Sequence, residues 1–405
     1  MIHQRRVVAT DDNSIHREFY LCHMLAGTIS FSRAARISVS AFFFTTGLCF
    51  ASWASRIPDI QHRLHLDAAQ LGSVLFALPI GSMLSLPVAG LLVTRFGSRI
   101  VMLVAAFIYA GLLCLLGTID ATWQLVTTLF FFGMSGNMMN ISINTQAVSV
   151  EALYKRSIMA SFHGVWSLAG FTGAAIGTFM VSKNISPLMH FIIIACLVAM
   201  LALFMFPHAL QNEESNQGQQ SGFTWPDKSL LKLGIIAFCC MACEGCMFDW
   251  SGIYFRDIVK VPSHLVTLGY TAFMAMMATG RFVGDWLVTR TGVKNVMRIS
   301  GCLIVLGLFT AIIFPTIYTA TAGFLLTGFG VSSIVPMAYG LAGKSKTMPA
   351  GMAIAAVSTV GYLGFLFGPP VIGYIAKAAS LRWSFALIAF LGSFIISLAG
   401  KVKDR

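Results

Sequence analysis

LVTRFGSR, from Leu92 to Arg99, and LVTRTGVK, from Leu287 to Lys294, are the same turn written twice, 195 residues apart. Leu, Val, Thr, Arg and Gly recur in register, and a basic residue closes each copy. Each copy interrupts a long apolar run, so each marks where one hydrophobic helix stops and the next begins. A glycine just past a helix end releases the chain into a sharp turn, the role expected of Gly97 and Gly292. A second pair of motifs follows in the same order. Gly170-x-x-Gly173-x-x-x-Gly177 returns as Gly361-x-x-Gly364-x-x-x-Gly368, at an offset of 191. Glycines so spaced let helix backbones approach closely, and in each half that helix is expected to pack at a moving interface. Two ordered pairs at similar offset imply an internal duplication.

Working outward from these turns, the chain of 405 residues divides into twelve apolar runs. They fall near 37–57, 69–92, 100–119, 123–148, 159–181, 187–206, 231–254, 265–288, 296–314, 318–342, 350–376 and 381–400. A helix that crosses a bilayer needs about 20 mainly apolar residues, which every run approaches. Composition agrees: 57% of the residues are hydrophobic and 10% charged, against about 25% charged in a soluble domain. So few charges cannot clothe a soluble core of this size. The net charge of +12 would suggest nucleic acid elsewhere. Here the basic residues sit between apolar runs, and no nucleic-acid partner is expected.

Those basic residues orient the chain. With both termini in the cytoplasm, 19 Lys and Arg fall on the cytoplasmic side; Arg56, Arg63, Lys183, Arg256, Lys260, Lys377 and Arg382 fall opposite. That bias is the positive-inside pattern. The polar, Gln/Asn/Ser-rich stretch at 208–229 reads as a flexible linker. The expected organisation is a cytoplasmic segment 1–36, a six-helix bundle 37–206, a linker 207–230, a second six-helix bundle 231–400 and a cytoplasmic tail 401–405. The fold class is thus an all-α polytopic membrane protein of twelve transmembrane helices in two pseudo-symmetric bundles.

The turn after the second run resembles the signature loop of the major facilitator superfamily, Gly-x-x-x-Asp-Arg-x-Gly-Arg-Arg. Here it reads Gly90-x-x-x-Thr94-Arg95-x-Gly97-x-Arg99. Thr94 replaces the acid, and in the second half an acid stands one turn earlier, at Asp285. The resemblance covers residues 34–400. Ala51 to Pro58, Val150-Glu151, Glu244-Gly245 with Asp249-Trp250, and Gly361 to Leu363 with Gly368 to Pro370 are similar to a bacterial inner-membrane branch of that family near the fucose permeases. The resemblance implies a carrier that works by alternating access around a midplane cavity, and it places Arg95 and Arg290 in a cytoplasmic latch.

Ionisable groups at membrane depth are costly, so each needs a reason. Glu244 lies mid-run, flanked by Cys243 and Gly245. A carboxylate there can carry a proton through a transport cycle or hold a neighbouring helix. His163, followed by Trp166 on nearly the same face, can share the proton, bind solute or cap a carbonyl. Asn137, Asn140 and Asn144 recur on one helix face. They are read as cavity donors for a hydroxylated solute, with interhelical bonding as the alternative. Arg281 and Asp285, four apart, can pair and are read as a latch rather than a solute site. Trp53 and Arg56 suggest an outer gate or a site that binds an anionic or sugar group, Trp53 being a solute-binding candidate. With Asp249-Trp250 in the other half, an Arg56–Asp249 pair would close the gate, and a membrane-interface belt is the alternative. Tyr339, Ser358, Thr359 and Tyr362 are further cavity candidates.

Of nine cysteines, Cys239, Cys240, Cys243 and Cys246 cluster in an apolar run, and the metal-like spacing Cys240-x-x-Cys243-x-x-Cys246 has no fourth ligand at a suitable distance along the chain. They read as small packing residues, with no metal or cofactor expected. No phosphate-binding Gly-x-x-x-x-Gly-Lys loop, His-Glu-x-x-His motif or nucleophile elbow occurs, so an enzyme is not expected. The expected function is secondary transport of a small polar solute, sugar-like or organic, coupled to protons, by a monomer in the inner membrane. An exporter of amphipathic compounds and a non-transporting sensor are the alternatives.

Overall fold

The computed structural model describes residues 12–154, 158–211, 227–345 and 347–401. Most of the expected linker, the basic residues Lys155, Arg156 and Lys346, and the tail beyond Lys401 lie outside the described residues. So do residues 1–11 of the expected N-terminal segment. Among the described residues there is no strand, and the helices follow the twelve apolar runs.

The first bundle comprises α1 (Asp12–Arg63), α2 (Ala68–Leu75), α3 (Ala77–Phe96), α4 (Ser98–Leu116), α5 (Thr122–Tyr154), α6 (Met159–Ser182) and α7 (Pro187–Met205). The second comprises α8 (Lys228–Tyr254), α9 (Leu268–Thr291), α10 (Val293–Ile313), α11 (Ile317–Val331), α12 (Ile334–Ala342), α13 (Ala350–Ala378) and α14 (Leu381–Ala399). One pass in each bundle is broken: α2 and α3 join at Phe76, α11 and α12 at Ser332-Ser333. Among the described residues ten helical stretches are apolar and long enough to cross a membrane. The other two passes, α5 and α9, have the length, 33 and 24 residues. Their Asn row and Arg281-Asp285-Arg290 lower their apolarity, and a helix that polar needs a protein or water neighbour, not lipid.

The repeated turns have one geometry. Gly97 adopts φ 78°, ψ 149° and Gly292 φ 80°, ψ 153°. Their N–H groups donate to Val93 O and Val288 O, both at 2.9 Å. A positive φ is strained for a side-chain-bearing residue, which accounts for glycine in both copies. The duplication read from the letters is therefore also a duplication of backbone.

The expectation for the glycine rows is corrected. A Cβ on Gly173 would stand 3.0 Å from Leu48 O, and one on Gly364 2.4 Å from Phe238 O. These glycines seat α6 on α1 and α13 on α8, inside each bundle. Gly170 alone of its row turns to the other bundle, against Met274 of α9. The tight approach between bundles falls to a pair that spacing did not single out. A Cβ on Gly72 would lie 2.5 Å from Pro369 O, and one on Gly373 2.4 Å from Ala68 O.

That crossing of α2 and α13 belongs to a seam at the end remote from the LVTR turns. There Lys377 Nζ meets Asp67 Oδ2 at 2.9 Å. Arg256 donates to Pro58 O at 3.0 Å and to Gln61 Oε1 at 2.8 Å. Thr178 bonds Thr271 and Thr267, each at 2.8 Å. Asp67 also caps α2, accepting from Gln70 N at 2.9 Å. The Gln70 N–H, then Lys377, holds its carboxyl below the usual carboxylate range. This support for the seam is present above the ordinary carboxylate pKa and is lost as pH falls through the depressed one.

Candidate functional site

Away from that seam the bundles separate around a cavity of about 740 Å3, lined from both halves. Its walls reach Met159 and Ala160 at the start of α6 and Asp285 and Val288 near the end of α9, so it extends toward the LVTR end. Glu151 on α5 positions the first of these: its Oε2 accepts from Ile158 N at 2.7 Å and Met159 N at 2.8 Å, capping α6. The break at Ser332-Ser333 also lines the cavity, where irregular backbone is tolerated at membrane depth.

Glu244, on α8, is 7% exposed. Its Oε1 lies 3.5 Å from Nη2 of Arg281 on α9. Arg281 reaches across the bundles as well. Its Nη1 donates to Ser167 Oγ of α6 at 2.7 Å, and its guanidinium lies over the Trp166 ring, 5.4 Å from the centroid. His163, one turn back on α6, lines the same wall, within electrostatic reach of Arg281 and edge-on to Phe43 at 5.4 Å. One guanidinium thus ties an acid of the second bundle to a hydroxyl and an indole of the first. Helix α1, which holds the corresponding place in the first half, carries no acid between Arg36 and Pro58. The acid is a feature of one half only.

Several expectations are corrected by this geometry. Arg281 turns to Glu244, not to Asp285, and among the described residues no ion pair forms on Asp285. Asp285 instead faces the cavity near its LVTR end. Arg56 does not reach Asp249. It is 2% exposed and bonds within its own bundle, to His190 Nδ1 at 3.1 Å, Asp59 Oδ2 at 2.7 Å and Ile185 O at 2.8 Å. Asp249 stays in the cavity wall, whereas Trp53 is not part of the wall and is buried against Phe132. The closure at the seam remote from the LVTR turns is made by Arg256, Lys377 and the threonines, which sit near helix ends and so do not stand out in the sequence as deep polar groups. Arg95 and Arg290 lie on Phe96 and Trp286 of their own helices, at 5.3 and 4.4 Å.

The asparagine row splits. Asn140 lines the cavity. Asn144 donates to Asn140 O and Oδ1, at 2.8 and 3.2 Å, and is not in the wall. Asn137 donates to Ser82 O and Ser85 Oγ, both at 2.8 Å, fastening α5 to α3. At 100° per residue the three fall within about 60° of one another, so what separates their partners is their spread of about 10 Å along the axis, with α3 packed against Asn137. Asn137→Leu is expected to lower stability by about 1 kcal/mol with solute affinity unchanged, and Asn140→Ala to weaken affinity with stability unchanged. Thermal unfolding and KM on each variant check this.

Trp166, Tyr339 and Tyr362 line the cavity, the last donating to Pro79 O of the other bundle at 3.3 Å. The four clustered cysteines are buried free thiols, and Cys240 Sγ donates to Val331 O at 3.5 Å. Phe50, Phe248 and Phe365 also line the cavity. Among 33 phenylalanines, nothing in the sequence set these three apart. Removing one partner of a buried pair leaves a charge unmatched. Arg281→Gln is therefore expected to cost about 3 kcal/mol, and Glu244→Gln in the same protein to recover most of it, as thermal unfolding would measure.

Twelve passes in two like bundles around a cavity walled by both have the form of a multi-pass membrane transporter. The chain belongs to the Major Facilitator Superfamily, whose family model matches residues 37–345 and again 233–402. It is 32% identical over 357 residues to an uncharacterized MFS-type transporter of Yersinia pestis, covering 88% of this chain and 92% of that one. Membrane protein MosC of Rhizobium meliloti is 30% identical over 370 residues, covering 91% of this chain and 90% of MosC. In fold, the chain resembles a mutant form of the nucleoside transporter NupG, with a TM-score of 0.74 and 16% identity over 91% of this chain and 98% of that one.

Proposed function

We propose that the protein is a proton-coupled secondary carrier for a small polar solute, sugar-like or organic. It acts as a monomer in a bacterial inner membrane, with its LVTR turns and termini in the cytoplasm. The bundles rock about the cavity, opening it to each side in turn. The observation that carries this reading is the Glu244–Arg281 pair, joined across the bundles to Ser167 and Trp166. A proton on Glu244 cancels its charge and frees Arg281 from the pair. The guanidinium then redistributes among Ser167, Trp166 and solute, so the proton and the inter-bundle contact are linked. Linkage of this kind works in both directions: whatever proton binding does to the bundle equilibrium, bundle movement does to proton binding. The basic bias of the LVTR side supports the orientation.

Export of amphipathic compounds is the second reading, favoured by the ring-lined wall of Phe43, Phe50, Phe248 and Phe365. Purified protein in liposomes with a trapped pH dye separates them. Proton entry together with solute supports the symporter; proton exit against solute entry supports the exporter; no proton movement with any solute counts against both.

A further inference from the structure

The cavity wall holds three carboxylates, Glu244, Asp249 and Asp285, against one guanidinium, Arg281. Arg281 is committed to Glu244. Among the described residues no hydrogen bond and no ion pair reaches the Asp249 carboxylate, and no cation matches it. In the same wall the rings of three helices converge. Phe248 lies edge-on to Phe50 of the other bundle at 5.2 Å and stacked with Phe365 at 6.3 Å. Behind Phe248 stands Tyr270, edge-on at 6.3 Å. Tyr270 is 1% exposed, and among the described residues its hydroxyl has no hydrogen-bond partner. A carboxylate without a cation in a wall shared with aromatic rings, with an unsatisfied hydroxyl beyond the Phe248 ring, has the chemistry of a site for an organic cation.

Resting on the carrier reading above, we propose that the transported solute bears a positively charged nitrogen, and that Asp249 holds that ammonium among Phe50, Phe248 and Phe365. The neutral, hydroxylated part of the solute then extends toward Asn140 and Tyr362. Asp285, nearer the LVTR end, attracts the cation on the way to or from that side. Two halves of the cavity have two duties. The Glu244–Arg281 pair, internally compensated, answers the proton, and Asp249, uncompensated, answers the solute. The charge of the solute completes the balance that the protein leaves open.

Thermal unfolding of the purified full-length protein with matched probes tests this: choline against its carbon isostere dimethylbutanol, glucosamine against glucose, and tyramine against propylphenol. At saturating concentration at least one ammonium member is expected to raise Tm by about 3 °C or more, with its neutral partner giving no shift. Asp249→Asn should lose that shift and Asp249→Glu keep it. The wild-type comparison stands even if the Asn variant does not fold. Equal shifts within every pair, or no shift from any ammonium compound, overturn the proposal. Proton-driven uptake of a neutral solute would leave the carrier reading intact and sink this one. Asp249-dependent ammonium binding without proton movement would do the reverse.

Discussion

Glu244→Gln reduces proton-driven uptake roughly 100-fold, near the upper range of a coupling free energy between two sites, while the folded protein still exchanges solute across the membrane. Glutamine keeps the volume and an acceptor oxygen for Arg281 but has no proton to give up. The side chain is buried and faces Arg281 at 3.5 Å, so the variant resembles a permanently protonated acid. Rocking with solute bound remains possible, and only the step that must return without its proton is changed. Uptake driven by a pH gradient, measured beside solute counterflow in the same liposomes, separates the two. Loss of both would make Glu244 a solute ligand or a structural group. Wild-type values for both would remove it from the mechanism.

Gly373→Val produces the other large effect, a loss of transport of tenfold or more in a protein that still folds. No side chain fits at the α2–α13 crossing while the seam is shut, because Ala68 O stands 2.4 Å from where a Cβ would be. Overpacking of this kind costs about 1–3 kcal/mol, and every 1.4 kcal/mol is tenfold in population. The cost falls on the state in which α2 and α13 touch, so the equilibrium moves toward opening at that end. A cysteine placed at Gln70 should then react faster with a membrane-impermeant thiol reagent. An unfolded variant would mean that the crossing serves the fold itself. Normal uptake with unchanged labelling would mean that the seam does not open.

The fold was legible because its signals are local and repeated. Apolar runs of membrane length fix where helices lie, and the LVTR turns recur with the same letters and the same positive-φ glycine. The cavity was legible in part. Glu244, His163, Trp166, Asn140, Tyr339, Tyr362, Asp249, Arg281 and Asp285 all reach it, since polar groups at membrane depth must face something other than lipid. Partners were not legible. Arg281 has an acid four residues on and another 37 residues back, and helix spacing favours the nearer one. Tertiary packing of α8 against α9 chose the farther. Arg56 likewise looked like half of a gate until α7 supplied His190 and the turn before it Ile185 O. Asn137 shows the limit of a face argument: a stripe on α5 is shared between the cavity and α3, and the sequence does not mark where one ends.

Paired distance measurements on spin-labelled protein in lipid bilayers test the alternation of the cavity most directly. One pair, at Thr94 and Thr289, spans the LVTR end; the other, at Gln70 and Ala378, spans the seam. The account predicts two populations at each end that change in opposite senses, with the LVTR pair shortening as the seam pair lengthens when Gly373→Val is introduced. A single unchanging distance at both ends, or both pairs lengthening together, would contradict it.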